Sequence, residues 1–384
     1  MDITFLHSIN DILPTQWQAI FADKYPFTQH AFLASLETSG CVQQSTGWQP
    51  QHILVHEGDK LIAAMPCYIK THSYGEYVFD WAWANAYHQH GLNYYPKLLA
   101  AIPFTPATGP RLMFDESMQS DEQKISVIKA IGQALRDKFG PQGLSSWHLL
   151  FPTAELSSLL IDCGWQQRVG IQYHWFNKDY ASFDEFLARF KSRKRKTLRK
   201  EREAIVRQDI SMQVIVGVDL DDEMMTEFYR FYHLTYLKRS GQHGYLNLKF
   251  FHLLLASMKD KLVMICAKKN GSLIGAALCF RDDNTLYGRY WGCEQEYEFL
   301  HFEACYYQGI EFCINTGLRR FDPGAQGEHK IARGFEPVKT LSNHVIMQAD
   351  FSYAIEQFIN DEKTQVDVQL AHLKTLLPFK TEPV

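Results

Sequence analysis

The sequence predicts an α/β protein made of two similar units in tandem, each combining a mixed sheet with helices. Three observations predict it. The chain has 384 residues, too many for one typical domain of roughly 150 residues. The same order of strand-like and helix-like stretches can be read in both halves. Turn and strand markers also recur at matching distances: Gly58 to Gly271 is 213 residues and Trp81 to Trp291 is 210.

In the second half, "MQVIVGV" at 212–218 is β-rich and reads as a strand. Helical periodicity follows at about 221–238 and 247–259. "KLVMICAKKNGSLIGAALCF" reads as a hairpin, with Asn270 and Gly271 supplying the left-handed residues of a tight turn. "TLYGRYWG" is a third strand, and "EFLHFEACYYQGIEFCINTG" is a helix capped by Gly317. "RRFDPG" is a strand running into a loop, and "VKTLSNHVI" is a final strand.

The first half repeats that order. "ITFLHSI" opens as a strand, helices fit 14–22 and 29–39, and "QHILVHEGDKLIAAMPCYIK" is a hairpin turning at Glu57-Gly58-Asp59. "YVFDWAW" is expected as a third strand, 92–101 as a helix, "SSWHLLF" as a later strand and "WQQRVGIQYHWFN" as a closing hairpin. The segment 351–377 is amphipathic and reads as one or two packing helices.

Composition narrows the class. Hydrophobic residues are 46% and charged residues 21%, the profile of a folded chain. A net charge of −4 excludes a uniformly basic nucleic-acid coat and a uniformly acidic tail protein. The eight cysteines form no C-x-x-C pair and sit mostly in apolar stretches, as buried reduced thiols do. The N-terminus lacks the basic start and apolar core of a signal peptide, and no apolar run approaches the ~20 residues of a membrane span. These features predict a cytoplasmic protein.

The element order strand–helix–helix, three strands, helix–strand–helix–strand resembles that of the GNAT acyltransferase fold. Two copies in tandem resemble the Fem-type transferases, which add amino acids to peptidoglycan precursors. The stretches "HSYGEYVFDWAWANAYHQHGLNYYPKLLAAIPFTPATGPR" and "DPGAQGEHKIARGFEPVKT" resemble the bacterial Fem-like, or peptidoglycan biosynthesis/recognition, group of the GNAT superfamily. The resemblance covers nearly the whole chain. It implies a GNAT-like acceptor-side domain at 1–175, a second at 176–348 beginning with a basic helix, and a helical segment at 349–384.

That basic helix is "SFDEFLARFKSRKRKTLRKEREAIVRQ" at 182–208. Phe183, Phe186, Leu187, Phe190, Leu198 and Ile205 make one apolar stripe, and Ser182 with Glu185 fits a capping box. Nine Lys/Arg and one Glu between Arg189 and Arg202 give a local +8, which leaves −12 for the rest of the chain. Such density exceeds an ordinary solvated face and suits phosphate binding, with Arg193, Lys194, Arg195 and Lys196 as candidates. The resemblance implies aminoacyl-tRNA or a nucleotide-linked precursor as the phosphate bearer. Peripheral contact with an anionic membrane is the alternative. Dedicated RNA binding is disfavoured, because no aromatic residue interleaves the charge between Lys191 and Arg207.

The loop "FDPGAQGEHKIARGFEP" at 321–337 concentrates polar chemistry after a strand. Acyl transfer to an amine needs a base for the ammonium proton and a donor for the developing oxyanion. Glu328 or His329 fits the base; Asp322, Lys330 and Arg333 fit substrate contacts. Arg289 on the preceding strand and Glu303 on the following helix are further substrate-binding candidates, and His301 and Cys305 share a helix face. A GNAT pyrophosphate turn is replaced here by "GCEQEYEFL", whose Glu294, Glu296 and Glu298 would repel a pyrophosphate and suit a cationic amine.

In the first half, Glu76 and Asp80 among Tyr74, Tyr77, Trp81, Trp83 and Tyr87 read as acceptor contacts, joined by Tyr94, with Asp80 a further catalytic candidate. His88 and His90 form an H-x-H pair, but no Cys or further His completes zinc-type spacing and no hydrolase elbow occurs, so no metal and no tightly bound cofactor are expected. The expectation is an N-acyl- or aminoacyltransferase using acyl-CoA or aminoacyl-tRNA as donor and a peptidoglycan-precursor-like or other small amine as acceptor. The alternative is a non-catalytic module with degenerate GNAT folds that recognises peptidoglycan fragments or anionic polymers.

Overall fold

Strand and helix signals of the kind described above resolve into two units in the computed structural model, which describes residues 1–22, 24–325 and 327–380. One unit holds Met1–Gly170 and Lys339–Asp367, the other Ile171–Val338 and Val368–Val384. The strands Gln166–Phe176 and Glu336–Ile346 each pass from one unit to the other, as does the helix Ala349–Thr375. The closing stretch 349–384 is therefore shared between the units.

In the first unit an antiparallel sheet runs in the order Asp2–Leu6, His52–Glu57, Lys60–Met65, Met113–Phe114. A second group of strands is Trp48–Pro50, Tyr68–Lys70, Lys97–Ala100, Ser146–Leu150 and the 342–346 part of Glu336–Ile346. Only the pairing of Lys97–Ala100 with Ser146–Leu150 is parallel. The helix Asp121–Phe139 starts at a capping box between Ser120 and Gln123 and buries Val127, Ile128, Ile131 and Leu135. These meet Ile53, Val55, Met65, Leu98, Leu149 and Trp165 in the core.

Three expectations for this unit are corrected. "YVFDWAW" is not a strand: Asp80 precedes the helix Trp81–Gln89. Its alanines favour helix, and Trp83 and Tyr87, four apart, are the buried face. Residues 92–101 are not a helix but contain the strand Lys97–Ala100, all four residues buried. A strand buried on both faces loses the alternation that marks strands in sequence. "WQQRVGIQYHWFN" is one continuous strand rather than a hairpin. Gly170 serves close approach, not a turn: an added Cβ would lie 2.9 Å from Thr340 Oγ1.

The second unit is an antiparallel meander, Ile210–Val216, Leu262–Lys269, Ser272–Arg281 and Thr285–Cys293. Arg320–Asp322 then pairs parallel to Thr285–Cys293 and antiparallel to the end of Gln166–Phe176. The expected basic helix is broken into Phe183–Ala188 and Ser192–Arg207, at the point where Phe190 bridges to Phe379. Ser182 caps the first piece as expected, while Glu185 accepts from the Ala181 amide.

Two features of this sheet shape a cleft. Leu278 pairs with Tyr290 but Cys279 pairs with Gly288, so Arg289 is the extra residue of a β-bulge. Bulges re-aim side chains, and they recur beside active sites. Gly292 lets the helix Asp222–Ser240 press onto the strand, since an added Cβ would stand 2.2 Å from the Phe231 carbonyl carbon. That close seat brings the last turn of the helix, with Arg239, over the sheet.

Candidate functional site

Strand register alone assembles a charged cluster in the first unit. Lys70 lies opposite Lys97, and His148 opposite His344. Lys97 Nζ is 2.8 Å from Glu76 Oε2 and 2.5 Å from Asp80 Oδ2, and it also donates to Ser73 Oγ at 2.8 Å. Tyr94 donates to Asp80 at 2.6 Å, and its hydroxyl lies 3.2 Å from His148 Nε2. His148 Nδ1 meets His344 Nδ1 at 2.7 Å. Every one of these side chains is buried.

Burial and cross-talk set the charges here. Burial pushes the Glu76 carboxyl up to about 7 despite Lys97, with the Asp80 charge adding to the rise. Burial works against ionised Asp80 too, but the Lys97 ammonium outweighs it and holds the carboxyl down at about 2. Burial, aided by the Lys97 charge, brings His148 down to about 3. His344 falls well below its ordinary value through burial and its proximity to His148. Lys70, stacked 3.7 Å over the Trp48 ring, is brought down to about 7, mainly by burial.

The expected acceptor contacts Glu76, Asp80 and Tyr94 are thus buried, with Glu76 Oε2 and Asp80 Oδ2 on Lys97 and the Tyr94 hydroxyl on Asp80 and His148, while Glu76 Oε1 and Asp80 Oδ1 have no hydrogen-bond partner among the described residues. Sequence reading could not see this, because Lys97 lies in a stretch that reads as helix and His148 stands 54 residues beyond Tyr94.

The second unit holds an open cleft of about 380 Å³. Its walls include Arg239, Arg289, Trp291, His301, Cys305, Tyr306, His329 and Lys330, and no carboxylate lines it among the described residues. Asp322, at the end of Arg320–Asp322, takes the Arg289 fork at 2.8 and 3.3 Å and the Gly324 amide at 2.9 Å. Burial opposes its charge, but Arg289 keeps it ionised well below the usual carboxylate range.

Lys330 is buried and donates to the Gly324 carbonyl at 2.8 Å. Burial, with the Arg289 charge, brings its ammonium down to about 8 against the pull of Asp322. His329 Nε2 lies 2.8 Å from the Tyr306 hydroxyl. The side chain is exposed at the cleft mouth, and partial desolvation first, then Arg333 and Lys330, lower its pKa and favour the neutral imidazole. Burial and the Arg239 charge bring His301 down to about 4. Cys305 and Tyr306 belong to a π-helical turn, Glu303–Tyr307, between Leu300–Phe302 and Gln308–Thr316. Such turns are frequent at functional sites.

The structure separates the expected loop residues. His329, Lys330 and Arg289 line the cleft, with Asp322 directly behind them. Glu328 is exposed and outside the lining. Arg333, expected to hold a substrate anion, instead gives both Glu201 oxygens hydrogen bonds of 3.0 Å and stacks 3.4 Å over Phe302. Glu303 is likewise committed to Arg202, at 3.0 Å, and to Gln308. On the basic helix, Arg193, Lys194 and Lys196 are exposed and Arg195 half-buried. All eight cysteines are free thiols, as expected. Arg239 and Tyr306 carry no local sequence signal of a site; they reach the cleft through helix seating and the π turn.

Two mixed α/β units, the second with a polar cleft behind a strand-to-loop junction, define the GNAT-like two-unit fold class. The chain belongs to the FemAB-like family, described as peptidoglycan biosynthesis/recognition, which it matches over residues 8–381. Among solved structures it is similar to FemX, with a TM-score of 0.53 at 11% identity, covering 93% of this chain and 100% of that one. The C-terminal domain of a putative lysylphosphatidylglycerol synthetase from Agrobacterium fabrum gives 0.51 at 11% identity, covering 89% and 94%. A Bacteroides thetaiotaomicron protein of unknown function gives 0.51 at 10% identity, covering 90% and 100%. No curated protein matches significantly. Among the described residues, no helix is long and apolar enough to cross a membrane.

Proposed function

We propose that the chain is an aminoacyltransferase that moves an aminoacyl group from a tRNA ester to an amine of a peptidoglycan-precursor-like acceptor, with the cleft of the second unit as its chemical centre. The observation that carries the reading is the pairing of a neutral imidazole, His329, with a buried ammonium, Lys330, on one carboxylate-free wall. Membership of a peptidoglycan-related family supports the acceptor class. The acids in "GCEQEYEFL" favour an aminoacyl donor over acyl-CoA, because they would repel a pyrophosphate.

In this reaction the acceptor nitrogen attacks the ester carbonyl carbon. The new N–C bond forms as the ester C–O bond breaks. With Nε2 engaged by Tyr306, His329 Nδ1 takes the proton leaving nitrogen and passes it to the departing ribose oxygen. Lys330 lends positive charge to the carbonyl oxygen as it becomes an oxyanion. Asp322 fixes Arg289, and the Gly324 carbonyl fixes Lys330, so both cations are pre-positioned. No covalent enzyme intermediate is needed. The exposed cations Arg193, Lys194 and Lys196, with Arg195, form the face for tRNA phosphates.

The test is transfer of a labelled amino acid from a pool of charged tRNAs to nucleotide-linked muropeptides, with acyl-CoA esters run in parallel. Label in the muropeptide supports the proposal. Transfer from acyl-CoA alone would replace the donor. Saturable muropeptide binding without transfer from either would leave the non-catalytic recognition module as the reading. Replacing Arg193, Lys194, Arg195 and Lys196 by Gln should lower tRNA affinity and reduce its log–log salt slope by up to about three, at roughly 0.7 for each phosphate no longer neutralised.

A further inference from the structure

The cleft carries positive charge that the transfer step does not use. Arg239 stands on the last turn of the helix Asp222–Ser240 and is exposed. No carboxylate pairs with it among the described residues, whereas the neighbouring Lys238 is occupied by the Glu294 carbonyl at 2.9 Å. Its charge reaches inward, contributing to the lowered pKa of His301. Arg239, Trp291 and His301 line both the main cleft and an adjoining lobe of about 190 Å³. They therefore stand where the two spaces meet. Glu296 lines the lobe, together with Lys238, but not the main cleft. Arg289, the other guanidinium of the cleft, is neutralised by Asp322.

We infer that Arg239 and His301 form a seat for an oxyanion on the substrate, a carboxylate or a phosphate ester, at the junction of the cleft and its side lobe. This rests on reading the cleft as the transfer centre. A guanidinium fork at a rim suits a planar or tetrahedral oxyanion. A neutral imidazole beside it donates one N–H without adding charge. The Trp291 ring supplies an apolar wall on which the rest of the bound group can lie. The anion lies away from the attacked carbonyl, so Arg239 sets substrate position while His329 and Lys330 attend to the reacting atoms.

The test uses the full chain and three probes: inorganic phosphate, N-acetylalanine and N-acetylalaninamide. Imidazole signals of His301 and His329 are followed by NMR during titration, alongside calorimetry. At least one anion should bind saturably, shift the His301 signal and bind about tenfold less tightly to Arg239→Gln, the scale of one hydrogen bond to a charged group. Arg239 is exposed, so this variant should keep the wild-type melting temperature. Binding of phosphate alone assigns a phosphate ester; binding of N-acetylalanine alone assigns a carboxylate; binding of both assigns a general oxyanion seat. The inference is overturned if neither anion binds, if the amide binds as tightly as the acid, or if folded Arg239→Gln binds like wild type. Transfer without anion binding would sink this inference and leave the transferase reading intact; anion binding without transfer would do the reverse.

Discussion

The two units draw on the same kinds of side chain, lysines, histidines, tyrosines and carboxylates, and arrange them to opposite ends. Around Lys97 the central cation faces acids: two carboxylates, a tyrosine and two histidines gather on one another inside the first unit. Around Lys330 the balance is broken. Asp322 offsets Arg289, but Lys330, Arg239 and two neutral histidines face a cleft with no acid in its lining among the described residues. Titratable residues with shifted pKa values occur in both places, so perturbation alone does not mark a site. What distinguishes the second is that its groups face an open cleft.

The comparison breaks first at Lys97. In Lys97→Met the carboxylates Glu76 and Asp80 stay buried without their cation, and losing one partner of a buried ion pair costs about 3–5 kcal/mol. Denaturant unfolding of the variant should show a loss of this size or no folded state at all. A loss under about 1 kcal/mol, the level of a surface pair, would mean that the cluster is not the closed structural network described.

Acid sharpens the contrast next. His148 and His344 have folded pKa values below the ordinary 6.5, so they contribute stability that is full above pH 6.5 and lost as pH falls toward about 3 for His148. Glu76 acts the other way: its carboxyl is raised from 4.5 to about 7, so its contribution is full below pH 4.5 and lost as pH rises through 7. These two histidines, with His301 and His329 of the second unit shifted the same way, outweigh one carboxyl and predict a net fall in melting temperature from pH 7 to pH 5. His344→Asn should flatten that slope. An unchanged slope would remove the histidine pair from the account.

The smallest effect is expected at Glu328. It neighbours His329 in sequence, and both are exposed, but only His329 lines the cleft. Glu328→Gln should keep both melting temperature and transfer rate within about twofold, with stability inside the ±0.5 kcal/mol of ordinary surface changes. A rate loss of a hundredfold would restore Glu328 as the base.

Much of the second unit was legible because its signals are local. The Asn270-Gly271 turn, the helical periodicity from about 221 and 247 and the terminal Gly317 each fix an element within a few residues. The loop 321–337 was legible for the same reason, as polar residues packed after a strand. The first unit was harder. Lys97–Ala100 carries no alternation because both faces are buried, and Trp81 and Trp83 suit strand or helix equally until Tyr87 is seen to share the face of Trp83. The helix Asp121–Phe139 has a capping box and periodic apolar positions, so its signal is local too, although the repeat of elements gave it no place. What no local signal could give was pairing across distance: Lys97 to Asp80, Arg333 to Glu201, and Arg239 to the cleft.

The central claim is that His329 is the base of the cleft, and single-turnover transfer as a function of pH tests it most directly once charged tRNA and acceptor are in hand. The wild-type rate should fall in acid below pH 6.5, as the lowered His329 pKa requires, and fall again as pH rises through about 8, where Lys330 loses its charge. His329→Gln, with an unchanged melting temperature, should lose roughly 10²–10⁴-fold at pH 7.5, the scale of general-base catalysis, and lose the acid limb as well. A folded His329→Gln that transfers at the wild-type rate with the same acid limb would contradict the account.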